Sequence, residues 1–93
     1  MQYIRRVRVE SPGTRNEHIT DVQHSSTPTG TLALATKQTM VNLIDAGTSV
    51  RSHNDATGAE AAVVTRMGSS GRKYIATVAD GKESNNLLAL PRF

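Results

Sequence analysis

The C-terminal stretch, residues 71–93, constrains the fold more than any other part of the chain. Residues 73–79 predict a strand, and the Asp-Gly pair at 80–81 predicts a turn. They are followed by three leucines within 87–90 and then by Pro91. An apolar run at the end of a chain frays unless it docks on the rest of the protein. We therefore expect a docked C-terminal tail, packed on the sheet or on a second subunit.

The apolar residues available for a core are few. The 93 residues predict a single domain, 1–93, near the lower size limit of domains that fold alone. Aromatic residues make up only 3% of the sequence, with no Trp and a single Phe. The core must therefore be built from Val, Ile, Leu, Ala and Met. Because oligomerisation commonly stabilises a domain with a small core, we expect a homo-oligomer, a dimer or larger.

Composition excludes several classes of protein. No cysteine is present, which excludes disulfides, zinc–thiolate sites and thiol nucleophiles. The sequence has neither a signal-peptide pattern nor a run long enough to span a bilayer, and we expect a cytoplasmic protein without a membrane partner. The formal charge is +3, from eleven Lys and Arg against eight Asp and Glu. This excess is mild, since dedicated DNA-binding proteins show a denser basic stripe.

The pattern of apolar residues predicts an α+β fold: a small antiparallel sheet of about five strands, one packed helix and the docked tail. Residues 3–10 alternate as a strand, with Arg5 and Val7 on the same face. Residues 18–24 predict a second strand, in which two apolar residues are out of phase and indicate a bulge.

The remaining elements follow from cap and turn residues. Thr36 is typical of a helix N-cap, residues 40–44 carry an apolar stripe, and Gly47 lies where a helix commonly ends in a glycine. The next three strands are joined by short turns that contain glycine, which predicts an antiparallel meander over residues 49–53, 59–67 and 73–79.

Four segments resemble, in the right order, a family of small bacterial and phage proteins catalogued as a domain of unknown function, DUF3892. The resemblance covers nearly the whole chain. The segments are Asn16-Glu17-His18-Ile19-Thr20, residues 40–47, residues 73–81 and residues 86–91. Ala76 stands where the family commonly has Arg, and Asn85 where it commonly has Asp, so a pair between these positions would be lost here. The family name implies no activity.

A looser likeness, in size, basic character and the Asn-Leu-Leu block near the C-terminus, is to phage anti-Thoeris proteins that sequester cyclic ADP-ribose signals. This likeness implies a sponge, a protein that lowers the concentration of a nucleotide signal in the host cytoplasm. No residue roles are carried over with it.

Histidines and carboxylates give weak support for catalysis or for a metal site. His18 and His24 would lie about 20 Å apart along a strand, too far to share one metal. A metal site would need His53 and a carboxylate to converge. Turn geometry by itself explains the carboxylates at Asp55, Asp80 and Glu83. Since no nucleophile, phosphate-loop or dinucleotide motif is present, we expect a non-enzymatic protein without a metal or other cofactor.

Basic residues are the strongest candidates for a binding site, because a guanidinium group binds phosphate through two parallel hydrogen bonds. The turn 68–73 also offers hydroxyls, backbone N–H groups and two cations to an anion, although such hairpin turns are common. Tyr74 would stack on a base and Asn86 would contact a base or ribose. The alternative is that the charges keep an exposed sheet soluble. The candidate ligand-binding residues are Arg5, Arg8, Arg51, Arg66, Arg72, Lys73, Tyr74, Asn86 and Arg92.

These observations predict a phage or mobile-element sponge that sequesters a small phosphorylated, nucleotide-like ligand in Arg-lined pockets. Two alternatives stay open. One is a nucleic-acid-binding or regulatory module that uses Arg5, Arg6 and Arg8. The other is a protein–protein adaptor that offers its tail or a sheet edge to a partner by strand addition.

Overall fold

The computed structural model describes residues 1–11, 13, 15–68, 71–79, 82–84 and 86–93, without the side chains of 79 and 82–84. The predicted turn at 80–81 and the position of Asn85 lie outside these residues. Within them the chain forms seven strands, one α-helix and one short 3-10 helix, which confirms the α+β class. The elements are β1 (Gln2–Val9), the 3-10 helix (Asn16–His18), β2 (Ile19–Ser25), β3 (Ala33–Thr36), α1 (Lys37–Asp45), β4 (Val50–His53), β5 (Glu60–Met67), β6 (Lys73–Ala79) and β7 (Lys82–Ser84).

The strands form one sheet in the order β3-β2-β1-β4-β5-β6-β7. Neighbouring strands are antiparallel except β1 and β4, which run parallel with Tyr3 opposite Arg51. The described part of the sheet thus has two more strands than predicted and is mixed rather than antiparallel. Four-residue β3 lies where Leu32 and Leu34 indicate a third short strand, whereas three-residue β7 is too short for a clear pattern. Two parallel strands need a long crossover connection between them, and α1 lies in the segment that connects β1 to β4.

One extra residue in β1 changes which side chains enter the core. The pairing with β2 shifts by one position at Arg5, so that Ile4 and Val7, three residues apart, are both fully buried. The predicted alternation, which placed Arg5 and Val7 on the same face, is therefore wrong. A second shift near the end of β1 leaves Thr20 as the extra residue of β2, which confirms the bulge predicted there.

Helix α1 has the predicted ends. The Oγ1 atom of Thr36 accepts a hydrogen bond from the backbone N–H of Thr39 at 3.2 Å, as an N-cap does. Gly47 follows the helix with a φ of 101°, a conformation that favours glycine. The helix buries Met40 and Val41 against the sheet. Neither of the described helices has the length and apolar character needed to span a bilayer.

The C-terminal tail packs on the sheet of the same chain, which is one of the two predicted alternatives; the other was a second subunit. Leu87 and Leu90 are buried in the same cluster as the core residues of β1. The N–H of Val7 donates to the Pro91 carbonyl at 3.0 Å, and the Val7 carbonyl accepts from the N–H of Phe93 at 3.2 Å. Since β4 pairs only with the first part of β1, the tail occupies the edge of β1 that β4 leaves open.

Candidate anion-binding groove

Arg5 holds two turns of the chain together. Its Nε donates to Oδ1 of Asp55 at 3.0 Å and its Nη2 to Oδ2 at 2.9 Å, while Nη1 donates to the Gly30 carbonyl at 2.6 Å. The side chain is only 13% exposed. The hydrogen bonds from Arg5 hold the pKa of the Asp55 carboxyl below its usual value. Arg5 was a candidate ligand-binding residue, and the structure gives it these intramolecular partners instead.

Arg51 belongs to a row of charged groups that starts at the Arg5–Asp55 pair. Nε of Arg51 lies 3.3 Å from Oε1 of Glu60, and Oε2 of the same carboxylate lies 2.9 Å from Nδ1 of His53. The other nitrogen of His53 is 3.8 Å from Asp55. The contact with His53 is the main reason that the pKa of Glu60 is lowered. Arg51 is therefore neutralised by a carboxylate from the neighbouring strand β5.

Two further candidates make contacts in the tail, Arg8 from β1 and Arg92 from the tail itself. The guanidinium carbon of Arg8 lies 4.7 Å from the centre of the Phe93 ring, a cation–π geometry. Nη2 of Arg92 donates to the Leu88 carbonyl at 3.2 Å. Asn86 is exposed at the start of the tail. None of Arg8, Asn86 and Arg92 lines the clefts around Arg72 and Lys73, so the predicted residues do not form one pocket.

A smaller group of candidates does converge with residues that the sequence did not indicate. Two clefts, of about 200 and 430 Å³, share Lys37, Arg72 and Lys73 in their walls, and we call this surface the cationic groove. Tyr74 lines the smaller cleft, and Gln38 lines the larger one. The remaining lining residues of the smaller cleft are Glu10, Glu17 and His18.

Two chain segments bring the three cations together. Lys37 is the first residue of α1, where the helix dipole favours negative charge. Arg72 directly precedes β6 and Lys73 is its first residue. The N–H of Gly68 donates to the Arg72 carbonyl at 2.8 Å, and Gly71 has a φ of 81°. The predicted anion-binding turn thus contributes its two cations, while its serines, 69 and 70, lie outside the described residues.

One of the three cations of the groove is held by a carboxylate. Nζ of Lys73 lies 2.7 Å from Oδ2 of Asp45, whose other oxygen accepts from Thr65 at 2.9 Å. The ammonium group of Lys73 lowers the pKa of Asp45. Among the described residues, Lys37 and Arg72 form no ion pair. The charged groups of these two side chains therefore remain available to an anion.

The smaller cleft also has an acidic side. The backbone N–H of Glu10 donates to the His18 carbonyl at 2.9 Å, which joins β1 to the 3-10 helix. A Cβ at Gly68 would lie 3.1 Å from Oε2 of Glu17, so glycine allows this carboxylate to approach the hairpin. Nδ1 of His18 accepts the N–H of Arg15 at 3.1 Å, so in the neutral ring the proton is on Nε2.

Arg66 lies on the same hairpin but not in the groove. It is exposed and pairs in register with Tyr74, whereas the groove forms around Arg72 and Lys73. Among the described residues, no three His, Asp or Glu side chains are placed to hold a metal ion. The sequence indicated Arg72, Lys73 and Tyr74 but not Lys37, because the groove is assembled from four separate parts of the chain, which leave no spacing pattern to detect.

Comparison with known proteins gives a family and no activity. A family model described as "Protein of unknown function (DUF3892)" matches residues 3–91, as the four similar segments predict. No curated protein and no solved structure matches the chain significantly. The likeness to anti-Thoeris proteins has no counterpart in these comparisons and stays a prediction.

Proposed function

The chain belongs to the DUF3892 family, and because that family has no assigned activity, we propose its function from the cationic groove. The protein binds a compact phosphorylated ligand of nucleotide type in this groove and holds it without chemical conversion. The observation that carries the proposal is the meeting of Lys37, Arg72 and Lys73 in two shared clefts.

The cations fit a phosphate group. Charge-assisted hydrogen bonds from Lys and Arg to phosphate oxygens are about twice as strong as neutral ones. The first turn of α1 adds the positive end of a helix dipole next to Lys37. Lys73 is already paired with a carboxylate oxygen of Asp45 at 2.7 Å, so among the described residues Lys37 and Arg72 are the lining cations that no carboxylate holds.

The acidic side of the groove favours a small ligand over a nucleic acid. Glu10 and Glu17 would accept hydrogen bonds from ribose hydroxyls or from an amino group of a base, and Tyr74 offers a ring for stacking. A continuous strand of phosphates would instead meet these carboxylates as like charges. The larger cleft, of about 430 Å³, falls within the range of small-molecule sites, about 300–1,000 Å³.

In the proposed role the protein acts as a sponge, because a bound signal no longer reaches its receptor. The phage or mobile-element setting rests on the likeness to anti-Thoeris proteins alone. The alternative nucleic-acid interface has fewer free cations than the sequence indicates. Arg5 is paired with Asp55, and Arg8 lies 3.9 Å from Asp21 and over the Phe93 ring, whereas Arg6 is exposed on β1.

Thermal unfolding in the presence of candidate ligands tests the proposal. The panel contains mono-, di- and cyclic nucleotides, ADP-ribose variants and short oligonucleotides. A ligand at a hundred times its Kd adds about 2.7 kcal/mol to the free energy of unfolding, which raises Tm by about 10–20 °C in a domain of this size. We expect one or more compact nucleotides to give such a shift.

Matched variants locate the site. Each charged hydrogen bond to a ligand contributes about 1.5–3 kcal/mol, so the double variant Lys37→Ala, Arg72→Ala should weaken binding by at least about a hundredfold. Arg66→Ala is the control, because Arg66 is an exposed arginine of the same hairpin outside the groove. Full affinity in a folded double variant would refute the groove. A shift with oligonucleotides alone, with affinity that falls steeply with salt, would favour nucleic acid.

A further inference from the structure

Strand β3 forms one edge of the sheet. It pairs with β2 on one side, and among the described residues no strand pairs with its other side. Its backbone therefore presents N–H and C=O groups in the direction where a further strand would lie. At the middle of this edge the side chain of Leu34 is 63% exposed, the highest value among the described large hydrophobic residues.

The β3 edge lacks the features that usually keep edge strands apart. Natural edge strands commonly carry charges, prolines or bulges, which discourage pairing with other molecules. Residues 22–36 contain no Asp, Glu, Lys or Arg, although 20% of the whole sequence is charged. β3 contains no proline and pairs with β2 without a register shift. The opposite edge strand, β7, has two charged residues among its three.

We propose that β3 is the surface through which two copies of this chain associate, by antiparallel β3–β3 pairing about a two-fold axis. A neutral strand pairs with its own copy without repulsion between like charges. A two-fold interface uses the same edge of both copies, so that neither edge stays open. The neutral edge offers no charge for a nucleic acid or a charged peptide to recognise, and a second copy is the partner that matches it.

Symmetry and the β2 register define the expected contact. Ala35 lies opposite Val22, a core residue, and Leu34 lies opposite Gln23, so Leu34 points to the sheet face away from the core. With the two-fold axis at Leu34, this side chain lies directly opposite Leu34 of the second copy. Side chains in such positions have Cβ atoms about 4.5–5.5 Å apart. The contact would bury the exposed leucine in both copies.

The chain has no cysteine, so single cysteine variants report this contact without interference. Under mild oxidation we expect Leu34→Cys to form a disulfide-linked dimer. Met67→Cys is the control, because Met67 is 61% exposed but lies on β5. Equal amounts of linked dimer from the two variants would overturn the proposal, since random collisions would then explain both.

The mass in solution provides a second, non-covalent readout. At about 100 µM, which populates a dimer of micromolar Kd, light scattering should give twice the 10.0 kDa of the chain for the wild type and for Met67→Lys. Leu34→Lys should give the mass of one chain, with an unchanged circular dichroism spectrum because the side chain is exposed in the monomer. A wild-type monomer at this concentration, or a Leu34→Lys dimer, would overturn the proposal.

Discussion

Shortening Leu87 to alanine should be among the most destabilising single changes in this protein. Leu87 is fully buried and packs in the same cluster as Ile4 and Val7 of β1. Removing a buried leucine side chain costs about 2–5 kcal/mol, because the apolar contacts are lost and a cavity stays behind. Each kcal/mol lowers Tm by about 4–8 °C in a domain of this size, so a loss of about 3 kcal/mol corresponds to about 12–24 °C.

Urea titration followed by circular dichroism measures this cost, since the chain has no Trp for fluorescence. Leu88→Ala is the matched control, because this neighbouring leucine is only partly buried at the margin of the same cluster. We expect Leu88→Ala to cost less than half as much as Leu87→Ala. If Leu87→Ala costs less than about 1 kcal/mol, or no more than Leu88→Ala, the tail does not complete the core and the reasoning fails.

Two further predictions concern the charged groups. Arg5→Gln removes the hydrogen-bond donor to Asp55 and to the Gly30 carbonyl, so it should lower the free energy of unfolding by about 1.5–3 kcal/mol. Arg6→Gln, at an exposed neighbouring position, should lower it by less than about 0.5 kcal/mol. Equal Tm values for the two variants would contradict this. The pKa values of Asp55 and Glu60 lie below their usual 3.8 and 4.5 in the folded chain. Their contribution to stability is therefore complete above these usual values and is lost as the pH falls below them. Tm should drop between about pH 5 and pH 2, and a constant Tm over this range would disprove the linkage.

Local signals predicted the elements that local interactions determine. The cap at Thr36 and the glycine at position 47 define the ends of α1 with residues only a few positions away, and both are found in the structure. The docking of the tail followed from the apolar run at 87–90, because such a run is stable only when it is covered. What it docks on was left open by the sequence.

Features that depend on distant pairing escaped prediction. The extra residue at Arg5 reverses the faces of β1, and nothing in the alternation of that strand shows it, since the bulge exists only relative to β2. The parallel position of β4 likewise depends on how the sheet is assembled. Of the arginines that the sequence indicated, Arg72 lines the cationic groove, whereas Arg5 and Arg51 pair with carboxylates on other elements. Sequence spacing does not reveal such pairs.

The way in which the tail completes β1 has a consequence for biosynthesis. A ribosome releases β1 first, yet one of its neighbours, around Pro91 and Phe93, is made about eighty residues later. A nascent chain that has emerged only as far as β7 lacks Leu87 and Leu90, so part of the apolar surface around Val7 stays exposed to solvent. The native packing can therefore be completed only after residues 87–93 leave the exit tunnel, and until then this surface is open to chaperones.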